Sequence, residues 1–280
     1  MRCVLFALAL SAFATAAAAQ EGPDAREAYV ERRGLIEADT QCRLFSPTIR
    51  DALAVSAAQA RGALLRAGWT DARVRELEGA VVSAARGRAC GDARTTRAAA
   101  GASRSVAQWV NAGSMEFPGW ERIWVARRVD EGWRLSQSVE APVPAVFGVL
   151  QRGQSQTLAL VVPVARGAQA PTSARLLMRN PAEPRRGEVS LTERMARGLA
   201  AGAPTPFTSV AHPSTRAVER LDEGRSQAVF TFPDSAFRDL LGLDPRESAE
   251  IELNTSRGPQ RLFIEVGDIA AARAFLTIRR

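Results

Sequence analysis

The sequence has no lysine, a single histidine, a single tyrosine and three cysteines in 280 residues. With only His212, a metal site built from several imidazoles is excluded, and a Ser-His-Asp triad must use that one residue. His212 lies in "SVAHPSTR", where it reads as an exposed loop residue rather than a general base. The chain also lacks a G-x-S-x-G elbow, an H-E-x-x-H helix, a P-loop and a G-x-G-x-x-G turn, so no metal or cofactor is expected. After the first twenty residues no stretch is apolar and long enough to span a bilayer, for which about 20 residues are needed.

Every one of the 37 basic residues is arginine, which sets a sequence pI near 10.8. The net charge is only +7, because 30 acids are interspersed with the arginines. No basic arm or stripe is left over, and nucleic acid is not an expected partner.

Residues 1–20 combine Arg2, an apolar run from Val4 to about Ala14 and the small residues of "TAAAAQ". That order reads as a secretory signal peptide cut near Ala19 or Gln20. Cys3 leaves with it. The expected product is an exported, periplasmic or secreted protein of roughly 260 residues, enough for one large or two modest cores.

Residues 21–116 are rich in alanine and arginine and show helical spacing. Helices are expected over 24–41, from Ser46-Pro47 to about Gly68, from Thr70-Asp71 to Gly87, and from Asp92 to about Asn111. Ser46, Thr70 and Asp92 are cap residues, and Pro47 suits the first helical position. Ile49, Leu53, Ala57, Ala60 and Leu64 share one face. Short connections imply an up-down-up-down bundle. Cys42 and Cys90 follow the first and third helices and so lie at the same end of such a bundle, where an oxidising compartment favours a disulfide.

Residues 117–280 change to short runs rich in Val, Leu, Ile and Phe between Gly, Pro, Asn and Asp turns. Strands are expected over 121–129, 133–139, 144–151, 156–164, 173–179, 226–232, 248–254 and 260–266. Short helices are expected from Ser190 to Ala201 on a capping box, from Asp234 to Leu241 and from Asp268 to Phe275. The Pro- and Ser/Thr-rich stretch 202–225 reads as a surface loop. The predicted fold class is α+β: an N-terminal disulfide-closed helical bundle followed by a mostly antiparallel β-rich domain with short helices.

Three tryptophans, Trp120, Trp124 and Trp133, fall within "FPGWERIWVARRVDEGWRLSQS". A three-residue Asp130-Glu131-Gly132 loop pairs Val129 with Trp133. That register places Ile123, Val125, Val129, Trp133, Leu135 and Val139 on a core face, and Arg122, Trp124, Arg128 and Arg134 together on the other. Trp124 then either caps an interface between the two parts or forms, with Arg122, Arg128 and Arg134, a face for a sugar or an anion. "FPGW" forms the joint between helix and sheet. Glu265 and Asp268 in "FIEVGDIA" flank a strand end and a helix start that could bring them together as a carboxylate pair, though such residues are more often a strand-end charge and a helix cap. "NTS" at 254–256 matches a glycosylation triplet and is accounted for by a turn.

The closing order of strand, short helix, strand, strand and terminal helix is loosely similar to the invasion-associated locus B proteins of bacterial periplasms. Their cysteine pattern is absent here, so no residue role is carried over. The expected function is a non-enzymatic envelope interaction protein, its partner a cell-envelope glycan or another envelope protein. The alternatives are a carboxylate-dependent hydrolase of envelope polysaccharide and a glycan or anion binder using the Trp/Arg hairpin face.

Overall fold

The computed structural model describes residues 23–183, 209–221 and 224–278. The leader assigned to 1–20 and the helix expected at 190–201 lie outside the described residues. Four helices come first: α1 (Pro23–Cys42), α2 (Pro47–Arg66), α3 (Asp71–Arg86) and α4 (Ala93–Asn111). Their starts follow local chemistry. The Ser46 hydroxyl accepts the Ile49 N–H, the Thr70 hydroxyl accepts the Arg73 N–H, and the Asp92 carboxylate accepts the Thr95 N–H. Each satisfies one of the amides that a helix start leaves without an intrahelical partner.

In α2, Leu53, Leu64 and Leu65 are buried against the neighbouring helices. Arg33 on α1 pairs with Glu78 on α3 at 2.7 Å, and Arg86 pairs with Glu37 at the same distance. Cys42 and Cys90 are joined by a disulfide with Cα atoms 5.4 Å apart, which ties the ends of α1 and α3 as the helix order predicts.

The β-rich part begins at β1 (Ser114–Pro118), a strand absent from the sequence-based expectation, and continues through β2 (Ile123–Arg127), β3 (Gly132–Val139), β4 (Ala145–Arg152), β5 (Ser155–Val164) and β6 (Ser173–Met178). Two further strands, β7 (Val210–Pro213) and β8 (Thr215–Arg220), occupy the stretch expected to be a loop. Both are edge strands, and β8 is exposed along nearly its whole length, so it lacks the in-out alternation by which a strand is recognised. The chain ends with β9 (Ser226–Phe232), α5 (Asp234–Leu241), β10 (Ser248–Thr255), β11 (Gly258–Glu265) and α6 (Ile269–Thr277).

Seven strands pair antiparallel in the order β1-β2-β3-β4-β5-β9-β8, and four in the order β11-β10-β6-β7. Residues of both sheets, among them Phe147, Leu160, Phe230, Leu176, Ile251 and Ile264, share one apolar core. That core runs on without a break into Leu53, Val55, Ala99 and Val106 of the bundle. Helix α6 packs against α2 and the β1–β3 strands and so joins the two parts.

The hairpin register departs from expectation by one residue. Val125 faces Ser136 and Ala126 faces Leu135, whereas a Val129–Trp133 pair would set Val125 opposite Gln137. A one-residue slip turns a strand over. Trp124 and Ala126 therefore point into the core, while Ile123 is exposed and Val125 half-buried. On β3 a bulge between Trp133 and Leu135 keeps Leu135, Gln137 and Val139 inward but leaves Trp133 only half-buried. The reason is the unforeseen β1, which pairs Phe117 with Trp124 and holds β2 from its other side. Gly132 does take the left-handed conformation assigned to it, with φ +90°.

Candidate functional site

The 265–268 turn after β11 collects most of the chemistry singled out in the sequence. Glu265, 2% exposed, accepts the backbone N–H groups of Trp120 at 2.7 Å and of Glu121 and Arg122 at 3.0 Å. Three successive amides aimed at one carboxylate make an anion-binding concavity whose occupant is part of the chain. A Cβ on Gly119 would lie 2.3 Å from Glu265 Oε2, so only glycine lets the "FPGW" turn close over the carboxylate.

Asp268 is bound from the other side. Arg66 at the end of α2 forms a bidentate pair with it, Nη1 to Oδ1 at 2.7 Å and Nη2 to Oδ2 at 3.1 Å, with both side chains buried. Asp268 precedes α6 but makes no side-chain capping bond there. Gly62 makes room for the pair: a Cβ there would meet Asp268 Oδ1 at 1.8 Å. Glu265 thus ties the β1–β2 turn to the end of β11, and Asp268 ties that same region to α2 of the bundle, instead of the two facing one another across a cleft.

Trp124 is fully buried. Its indole N–H donates to the carbonyls of Glu265 at 2.9 Å and Val266 at 3.0 Å, and its ring packs at a tilt on Phe147. These partners of Trp124, the 265–266 turn and Phe147, all belong to the β-rich part, so the ring is buried within that part and not at its junction with the bundle. The arginines grouped with it are dispersed. Arg122 donates to the Phe263 carbonyl. Arg128 donates to the carbonyls of Val110 and Phe275 and lies 4.0 Å over the Phe275 ring. Arg134 is half-buried beside the bulge. Trp124, Arg122, Arg128 and Arg134 therefore do not form a common ligand face. The exposed indole of this stretch is Trp120, at 52%.

His212 is not an exposed loop residue. It is buried on β7, paired in register with Leu176, and its Nε2 lies 2.9 Å from Asp239 Oδ2 on α5 without hydrogen-bonding geometry. Among the described residues no group of three or more His, Cys, Asp or Glu side chains is arranged to hold a metal ion. No described helix is long and apolar enough to cross a membrane.

A groove between α1, α3 and α4 was not singled out in the sequence. Helices α3 and α4 both lie on α1 and pack little on each other, and the gap encloses about 350 Å³. Leu35, Ala38, Ala85 and Thr95 form its buried floor, and Arg26, Glu31, Arg88 and Arg94 stand exposed on its rim. The legible signal was the four-residue spacing of Arg26, Val30, Gly34 and Ala38, which puts a charge and then small apolar residues along one face of α1.

Burial among Leu64, Leu65 and Val74 raises the Tyr29 phenol to about 12, reinforced by the Glu78 charge beside it. Hydrogen bonding from Arg33 holds Glu78 below the usual carboxylate range, and Arg86 does the same for Glu37.

No family model, no curated protein and no solved structure matches this chain. The likeness to the locus B proteins therefore rests on element order alone.

Proposed function

We propose that this chain is an exported, non-enzymatic binding protein of the cell envelope, and that the groove between α1, α3 and α4 is its binding surface. The observation that carries this reading is the use of both candidate catalytic carboxylates as fasteners. A glycosidase needs one acid free to give a proton and another free to attack or to activate water. Glu265 accepts three amides and Asp268 is paired with a guanidinium, so the oxygens of both carboxylates are already engaged within the fold. The Cys42–Cys90 disulfide suits an oxidising compartment, in keeping with the leader-like start of the sequence.

A glycan-binding reading keeps one supporting feature. Trp120 exposes its ring on a turn fixed by Glu265, and rigid exposed indoles stack on sugar faces. Backbone-amide shift mapping of the mature protein with an extract of its own cell envelope separates the readings. Perturbations confined to 26–38, 77–88 and 94–98, and lost in Ala84→Trp, support the groove. Perturbations centred on 119–124 transfer the role to Trp120. Release of reducing sugar that Glu265→Gln abolishes without loss of folding replaces both with a hydrolase.

A further inference from the structure

We propose that the groove takes a fatty-acid carboxylate, its acyl chain along the floor and its headgroup between Arg88 and Arg94; this rests on the groove being the binding surface. Shape narrows the occupant first. Along α1 the lining runs from Arg26 to Ala38, about 18 Å at 1.5 Å per residue. The enclosed volume, about 350 Å³, is at the small end for ligand sites. A partner helix about 10–12 Å across does not fit such a slot. A single extended chain does, because Gly34, Ala38, Ala84 and Ala98 contribute almost no side-chain bulk to its walls.

Chemistry narrows it further. Leu35, Ala38, Val81, Ala85 and Ala98 make the floor and lower walls apolar, and no aromatic ring lines the groove to stack on a sugar. The polar side chain on the floor is Thr95, whose buried hydroxyl lies near the Asp92 carboxylate but outside hydrogen-bonding geometry. It lies at the end of the groove where Arg88 and Arg94 stand.

Charge orients the ligand. Arg26, Arg88 and Arg94 oppose Glu31 on the rim, and among the described residues no side-chain hydrogen bond or ion pair is made by the three arginines, although the Arg88 backbone N–H donates to the Ala85 carbonyl. Asp92, beside Arg88 and Arg94, is occupied in capping α4 and is held below the usual carboxylate range by the Thr95 amide. Two guanidiniums against that one carboxylate leave this end positive, and the planar fork of an arginine matches a carboxylate head. At the other end Arg26 stands alone, so the head is assigned to the paired arginines.

Calorimetric titration of the mature protein with dodecanoate, below micelle formation, tests the assignment. Dodecyltrimethylammonium supplies the same chain with the opposite charge, and butanoate supplies the head with little chain. Saturable dodecanoate binding is expected, with both controls weaker by about tenfold or more. Arg88→Glu/Arg94→Glu should weaken dodecanoate by about tenfold or more, and Ala84→Trp should block it. All three positions are exposed, so the melting temperature serves as the check on folding. Failure of dodecanoate to bind, or equal binding by wild type and the double variant, overturns the assignment. If dodecanoate fails while envelope-extract shifts still map to the groove, the ligand class falls and the binding surface stands. If those shifts map elsewhere, both fall.

Discussion

Replacing Asp268 with asparagine removes a charge and preserves the shape. The carboxylate is buried against Arg66, both side chains are at or below 4% exposure, and the contact is bidentate at 2.7 and 3.1 Å. Asparagine keeps one acceptor oxygen but turns an NH₂ toward a guanidinium that has only donors. Breaking a buried pair from one side costs about 3–5 kcal/mol, because the surviving charge stays out of water. The retained oxygen places Asp268→Asn near the lower end, about 3 kcal/mol. Arg66→Met in the same chain removes the stranded charge, so Arg66→Met/Asp268→Asn should be more stable than Asp268→Asn alone. Urea unfolding measures both, with an unchanged m-value showing that the same surface is exposed. A loss below about 1 kcal/mol for Asp268→Asn, or strict additivity of the two changes, would refute the view that this pair fastens the bundle to the sheets.

Three further outcomes follow from the bundle. Tyr29 is the chain's one tyrosine, so tyrosinate absorbance reports it alone and should titrate near 12 instead of 10.0. Because the folded value lies above the unfolded one, its contribution of about 2–3 kcal/mol is complete below pH 10 and lost as pH rises toward 12. A midpoint near the ordinary value contradicts the burial. Glu37 and Glu78 act in the opposite sense: folded values below the unfolded ones give stability that is present above the ordinary carboxylate range and lost on acidification, so Glu78→Gln should flatten the acid limb of the stability profile. Replacing Cys42 and Cys90 with serine opens a cross-link spanning 48 residues and should cost up to roughly 4 kcal/mol on chain-entropy grounds. Thermal unfolding of the oxidised and serine forms checks it.

The helices were legible because their determinants are local. Ser46, Thr70 and Asp92 each cap within three residues of themselves, and the Cys42–Cys90 pairing follows from helix order. The core strands were legible for the same reason, since buried runs such as β4 and β5 carry their own pattern. The face of Trp124 was not. It depends on β1 as a partner and on carbonyls 141 and 142 residues away, neither of which appears in hairpin periodicity. His212 was misplaced because β7 has four residues and includes Pro213, too short and too polar to read as a strand. The groove stayed hidden because its walls are largely alanines with a few aliphatic residues, which mark a helix surface but do not reveal which neighbour stands off from it.

The account depends most on Glu265 acting as a fastener. Glu265→Gln leaves one acceptor oxygen facing three amide donors, and bonds to a charged group are worth about 1.5–3 kcal/mol each. The direct measurement is hydrogen exchange at the Trp120, Glu121 and Arg122 amides of wild type and Glu265→Gln, together with the unfolding free energy. The account predicts faster exchange at those amides and a loss of about 3 kcal/mol or more. Unchanged exchange and stability, accompanied by loss of a polysaccharide-cleaving activity that the wild type possesses, would contradict it.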